Sequence, residues 1–186
     1  MRLTQPRIAP LSDAELTDDQ KEVLKPFGGR VLNIFRTLVR APKALQRFNE
    51  WGGYILSRRN DLPAREREIV ILRTGFLCKS GYEWTQHVGI GKREGLTDDE
   101  IARIKQGAGA GWSAADAVLI KASDELHADQ FITDATWKEL GAHYTQKQCM
   151  DMVFTAAQYT QVSMFLNTFG VQLDAGQTLD PDLKGF

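Results

Sequence analysis

The residues Ser80-Gly-Tyr-Glu-Trp-Thr-Gln-His87 place a carboxylate and an imidazole four positions apart. At helical spacing Glu83 and His87 share one face, with Ser80 one turn earlier at the helix start. A carboxylate beside an imidazole raises the histidine pKa and fixes its tautomer, which suits proton movement near neutral pH. The same spacing also describes an exposed pair worth only a few tenths of a kcal/mol, and spacing alone leaves both readings open. Tyr82 and Trp84 flank the pair and read as core aromatics. His127 and His143 read as isolated, structural or exposed histidines, and no third ligand has a defining spacing, so no metal is expected. Cys78 and Cys149 are too far apart in sequence for a CxxC redox pair or a metal knuckle and read as small buried hydrophobes.

The elements that must position these groups are helices. Capping boxes, in which an N-cap hydroxyl and a side chain three residues later satisfy each other's backbone N–H, fall at Thr17 with Gln20, Thr97 with Glu100, Ser113 with Asp116, and Thr145 with Gln148. Pro42 and Pro63 open two more. Gly95, Gly107 and Gly170 stand where left-handed C-caps are wanted. Leu45, Phe48, Trp51 and Ile55 recur at three to four residues, as do Met152, Val153, Ala156, Tyr159, Ser163 and Leu166. No stretch keeps a period of two. The pattern predicts helices at about 18–25, 32–40, 43–58, 64–77, 81–94, 98–106, 114–128, 134–142 and 146–168. Short connections imply an all-α, compact helical bundle with mostly antiparallel neighbours. Residues 1–13 and 176–186 have little periodicity and read as arms lying over this domain or a neighbouring subunit.

The chain has 186 residues, 42% of them hydrophobic, and 24 acidic against 23 basic side chains. That length buries enough surface to fold as one domain, 1–186, without disulfides or a structural metal. Near-zero net charge and the lack of like-charge blocks exclude an electrostatic nucleic-acid binder. Apolar runs such as Ile69 to Leu72 are far short of a membrane span. No secretory signal is readable at the N-terminus, so a soluble, cytoplasmic protein is expected.

Three stretches together resemble the carboxymuconolactone decarboxylase family, within the alkylhydroperoxidase D-like superfamily. They are Leu62-Pro-Ala-Arg-Glu-Arg-Glu-Ile-Val-Ile-Leu-Arg73, Cys78-Lys-Ser-Gly-Tyr-Glu-Trp-Thr-Gln-His-Val88, and Glu94-Gly-Leu-Thr-Asp98. Asn33-Ile-Phe-Arg-Thr-Leu38 with Pro42, and Asn167-Thr-Phe-Gly-Val-Gln-Leu-Asp174, resemble the family's outer segments. The peroxidase branch carries Glu, then Cys-x-x-Cys, then His. Aligned on His87, that pattern falls on Glu68, Ser80, Glu83 and His87, so both thiol positions hold oxygen side chains. Neither can cycle through sulfenic acid and disulfide. A family histidine before the proline is absent, because Ala41 precedes Pro42 here.

The resemblance implies a cofactor-independent lyase, a decarboxylase acting on a carboxylated lactone or aromatic-derived carboxylic acid. In that reading His87 is the general acid/base, Glu83 its orienting partner or the proton carrier itself, and Glu68 a second carboxylate from the preceding helix. Ser80 would donate to a substrate oxyanion beside free backbone N–H groups. Arg73 and Arg36 are the candidate cations for a substrate carboxylate, and Tyr82 a further donor. An arginine between Leu72 and Gly75 needs a partner, either substrate or Glu68. The implied partners are a small-molecule carboxylic acid and further copies of the chain, through faces such as Phe165 and Phe169. The alternatives are a thiol-dependent alkylhydroperoxidase-type antioxidant enzyme using Cys78 with Cys149, and a non-catalytic binding protein on the same scaffold.

Overall fold

The computed structural model describes residues 1–185; the last residue of the expected domain, 186, lies outside the described residues. Nine α-helices and no strands are found among them. They are α1 (Asp18–Leu24), α2 (Asn33–Leu38), α3 (Pro42–Ile55), α4 (Ala64–Leu77), α5 (Gly81–Arg93), α6 (Asp98–Gln106), α7 (Ala114–Asp129), α8 (Asp134–His143) and α9 (Gln146–Phe169). The expected all-α class is what the structure has. Thr17, Thr97 and Thr145 form the reciprocal capping boxes, whereas Ser113 only accepts from the Asp116 N–H. Thr133, which the sequence reading did not name as a cap, accepts from the Thr136 N–H and starts α8.

The largest boundary error is at α3, which ends at Ile55 rather than residue 58. Its cause is local. The Ser57 hydroxyl donates to the Tyr54 carbonyl and accepts from the Arg59 N–H, a side-chain turn that competes with helix continuation. Three short 3-10 turns, Asp13–Glu15, Lys25–Phe27 and Pro181–Leu183, were not anticipated.

Helix α4 is the hub, packed against α5, α6, α7 and α9. Every residue from Arg67 through Gly75 is buried, so this stretch of the helix has no solvent face. Ile69, Val70 and Leu72 join Leu119, Ile120, Leu140 and Met152 in the main core, while Ile71 packs in a smaller cluster with Ile55 and Tyr159. Helix α9 has 24 residues and a length of about 36 Å. It contributes to both clusters.

The terminal arms lie on the bundle. The N–H groups of Arg7 and Ile8 donate to the Phe169 carbonyl at 2.9 and 3.1 Å, and the Met1 amino group donates to the Leu183 carbonyl. Near the C-terminus, Asp180 accepts from the Trp84 indole at 3.0 Å and pairs with Lys105. No helix among the described residues is long and apolar enough to cross a membrane.

Candidate functional site

The connection from α4 to α5 brings the central residues together. The Ser80 N–H reaches the Gly75 carbonyl and the Lys79 N–H reaches Phe76, with Lys79 at φ 54°. This is a Schellman turn, with a lysine in the left-handed position usually given to glycine. The chain then reverses, and α5 runs back along α4. Gly91 permits the close approach, since a Cβ there would meet Leu96 at 3.0 Å, Leu72 at 3.3 Å and Glu68 at 3.7 Å. Glu68 and His87 thereby face each other across the two helices.

His87 lies between two carboxylates. Its Nδ1 is 2.7 Å from Glu68 Oε2 and its Nε2 is 3.0 Å from Glu83 Oε1. Glu68, Glu83 and His87 are 1%, 4% and 6% exposed, which settles the choice left open by spacing: the pair is not a solvated surface contact. Burial pushes the imidazole down, but the charges and hydrogen bonds of Glu68 and Glu83 outweigh it and raise the group to about 10. His87 is therefore an imidazolium across the neutral range. Tyr159 of α9 meets its ring edge-on at 4.9 Å, and burial together with both carboxylates holds that phenol well above its ordinary value.

Glu83 and His87 line a cavity of ≈ 420 Å³ between α2, α3, α5 and α9. Its walls are mainly apolar, with Phe27, Phe35, Phe48, Ile55, Ile90 and Val162. Asn49, Tyr82, Gln86, Gln158 and Tyr159 supply the remaining polar edges. Glu68 is outside the lining, behind His87, and so bears on the cavity through the imidazole.

The other residues singled out from sequence are placed elsewhere. The Ser80 hydroxyl is fully buried and has no partner, and it neither caps α5 nor lines the cavity. Met1 and Leu179 close over the adjacent Gly81. Arg73 points to the far side of α4, where Nε donates to Asp124 at 2.5 Å and Nη1 to the carbonyls of Ile104 and Lys105. Its partner is thus neither of the two foreseen. Arg36 donates to the carbonyls of Val31 and Leu11 and pairs with Asp13 at 2.7 Å. Neither arginine reaches the cavity. Tyr82 lines it, but its hydroxyl donates to Asp174 at 2.6 Å. Asp174 also accepts from Gln86 at 2.7 Å and from the Asn33 N–H at 2.9 Å, tying the C-terminal segment to α5 and α2.

Sequence reasoning missed Gln158 and Asp174, and it took Tyr159 for an ordinary core position on α9. Only tertiary packing brings α9 against His87. Phe165 and Phe169 stack at 5.8 Å and line a second, apolar groove of ≈ 580 Å³ with Phe48 and Trp51. The two cysteines stay apart. Cys78 contacts Thr160 and Ser163 of α9, so Cys149 lies at least eleven residues, about 16 Å, further along that helix. Burial raises both thiols. No group of three His, Cys, Asp or Glu side chains among the described residues is placed to hold a metal ion.

Comparison with known proteins agrees with this architecture. The sequence profile of the Carboxymuconolactone decarboxylase family matches residues 42–124. A search of curated proteins gives no match. Among solved structures, an uncharacterised peroxidase-related protein from Ralstonia eutropha JMP134, described as an alkylhydroperoxidase AhpD core, superposes with TM-score 0.76. It is 19% identical over 90% of this chain and 93% of that one. Another uncharacterised peroxidase-related protein, from Silicibacter sp. TM1040, gives TM-score 0.74 at 15% identity over 93% and 91%. A debrominase in complex with 2,3,4-tribromopyrrole gives 0.75 at 11% identity over 92% and 94%. At such identities the likeness is one of fold. Residues 42–124, the segment that contributes Glu68, Glu83 and His87, match the model of the carboxymuconolactone decarboxylase family.

Proposed function

We propose that the protein is a cofactor-independent acid–base enzyme in which Glu83 moves a proton to or from carbon on a small ring-bearing substrate. The observation that carries this reading is the unbroken line Glu68–His87–Glu83, buried at one end and ending on the cavity wall at the other. Both imidazole nitrogens are engaged, so Glu83, which lines the cavity, is the group that meets the substrate. His87 positions Glu83, stabilises its charge and exchanges a proton with it; Glu68 holds the imidazole in register. Of the two roles considered for Glu83, proton carrier is the one favoured.

Decarboxylation is one reaction such a site supports, and the family description suggests it. In a conjugated acid the C–C bond to the carboxylate breaks, CO2 leaves, and the electron pair passes into the adjacent carbonyl. Glu83 then returns a proton to carbon. The thiol-peroxidase alternative is disfavoured by Ser80 and Glu83 at the thiol positions and by the separation of Cys78 from Cys149. Self-association belongs to the same reading, with the groove at Phe165 and Phe169 as its surface; sedimentation equilibrium tests it. The chemistry is tested by incubating the protein with conjugated carboxylic acids while measuring CO2, and with cyclic carbonyl compounds in D2O while measuring C–H exchange. Turnover in at least one arm, lost in Glu83→Gln, supports the proposal. Equal turnover in Glu83→Gln overturns it.

A further inference from the structure

The polar lining of the 420 Å³ cavity is one-sided. Among the described residues that form it there is no lysine or arginine, and the ionisable groups are Glu83, His87, Tyr82 and Tyr159. Behind the wall stands Glu68, a second carboxylate sharing the same imidazolium. Two carboxylates with one cation at ion-pair distance leave a surplus negative charge at the polar end. The nearest arginine in sequence, Arg67, directs Nη1 to the carbonyls of Ser57 and Leu62 and forms no ion pair with either carboxylate, though its buried charge is felt at the Tyr159 phenol and offsets part of the surplus. Arg73 and Arg36, the cations that a carboxylate ligand would call for, are spent at other places in the fold.

The rest of the lining says what would fit. Phe27 and Phe35 stack with ring centroids 3.9 Å apart, and with Phe48 they form an aromatic wall opposite the acid–base line. Gln158 lines the same space and is 3% exposed, yet its Oε1 has no partner in the protein. A buried amide oxygen without a donor is costly, and an occupant with an N–H or O–H would satisfy it.

We propose that the cavity selects an uncharged, ring-bearing ligand that donates a hydrogen bond to Gln158, and that it disfavours the carboxylate form of the same ring. An anion entering would lose its hydration, find only the His87 imidazolium, already shared by two carboxylates, and meet the Glu83 and Glu68 charges in a low-dielectric surround. A neutral ring loses little water and gains the aromatic wall. This substrate class rests on the acid–base reading above and narrows it to proton transfer on neutral carbonyl or hydroxy-ring compounds, setting aside decarboxylation, which needs a bound carboxylate.

The probes are benzamide, methyl benzoate and benzoate, which share one ring and differ in charge and in donor. Dissociation constants are measured at neutral pH by NMR titration of the His87 ring signals in the full chain. The two neutral probes are expected to bind at least about tenfold more tightly than benzoate. Glu83→Gln is expected to narrow that gap, and Gln158→Leu to weaken benzamide severalfold while leaving methyl benzoate unchanged. Benzoate binding as tightly as the neutral probes overturns the inference, and so does failure of both neutral probes to bind. The two proposals fail separately. Preference for benzoate with turnover still lost in Glu83→Gln removes the substrate class alone, and neutral preference with turnover intact in Glu83→Gln removes the acid–base reading alone.

Discussion

Helix α4 buries two polar centres about 7.5 Å apart along its axis, and they differ in closure and in charge balance. At Arg73 the guanidinium meets one carboxylate, Asp124, and two carbonyls at the end of α6, and a Cβ at Gly107 would meet it at 3.2 Å. That centre is balanced in charge, and its guanidinium is buried. At Glu68 two carboxylates share one imidazolium, and the line opens on a cavity wide enough for a small ring. Buried charge is therefore no mark of chemistry by itself, since it also serves to tie helices together. What separates the two ends of α4 is an uncompensated charge with an open face beside it.

Breaking the open end should have the largest effect. Glu83→Gln keeps the shape and removes the titratable group, so kcat is expected to fall about 10²- to 10⁴-fold with the circular dichroism spectrum unchanged. At the balanced end the loss falls on stability rather than on turnover. Arg73→Met strands two carbonyls and Asp124, whose side chain is one-third exposed and partly rescued by water. The expected loss is about 2–3 kcal/mol of stability and roughly 5–10 °C in Tm, with turnover per folded molecule preserved.

The pH dependence of stability sharpens the contrast. His87 is raised from about 6.5 unfolded to about 10 folded, so the folded state binds more protons between those values. Its contribution is fully present below pH ~6.5 and is lost as pH rises through about 10. Groups facing it are Glu68 from α4, Glu83 from its own helix and Tyr159 from α9. Urea titrations across that window should show the wild type losing stability with pH, and Glu68→Gln should flatten the slope. The smallest effect belongs to the cavity edge: Tyr82→Phe removes the donor to Asp174 and should cost about 1 kcal/mol by the same titration.

Helix starts and the central pair were legible in the sequence because both are local. Thr17, Thr97 and Thr145 cap within one turn, and Glu83 and His87 share a face of α5 whatever surrounds it. Glu68 was reached through the family pattern, and packing explains why its own neighbourhood could not reveal it. The charge-rich run Arg65 to Glu68 looks like a solvated face, yet Arg67 and Glu68 are buried and Arg65 is tied to Glu100 and Asp116 on other helices. The arginines show the converse limit. Nothing near Arg73 in sequence announces Asp124, fifty-one positions away, or the end of α6. Likewise Gln158 and Tyr159 lie on a helix whose period was plain, but which of its faces meets His87 is decided by tertiary contact.

The account stands most directly on the charge of His87. The chain has only three histidines, so nitrogen-15 NMR resolves the ring of each without crowding. At pH 8 both His87 ring nitrogens should carry protons and show imidazolium shifts, while the Glu68→Gln variant should titrate at lower pH. A neutral His87 with a single protonated nitrogen at pH 8 would contradict the Glu68–His87–Glu83 line as the working centre of this protein.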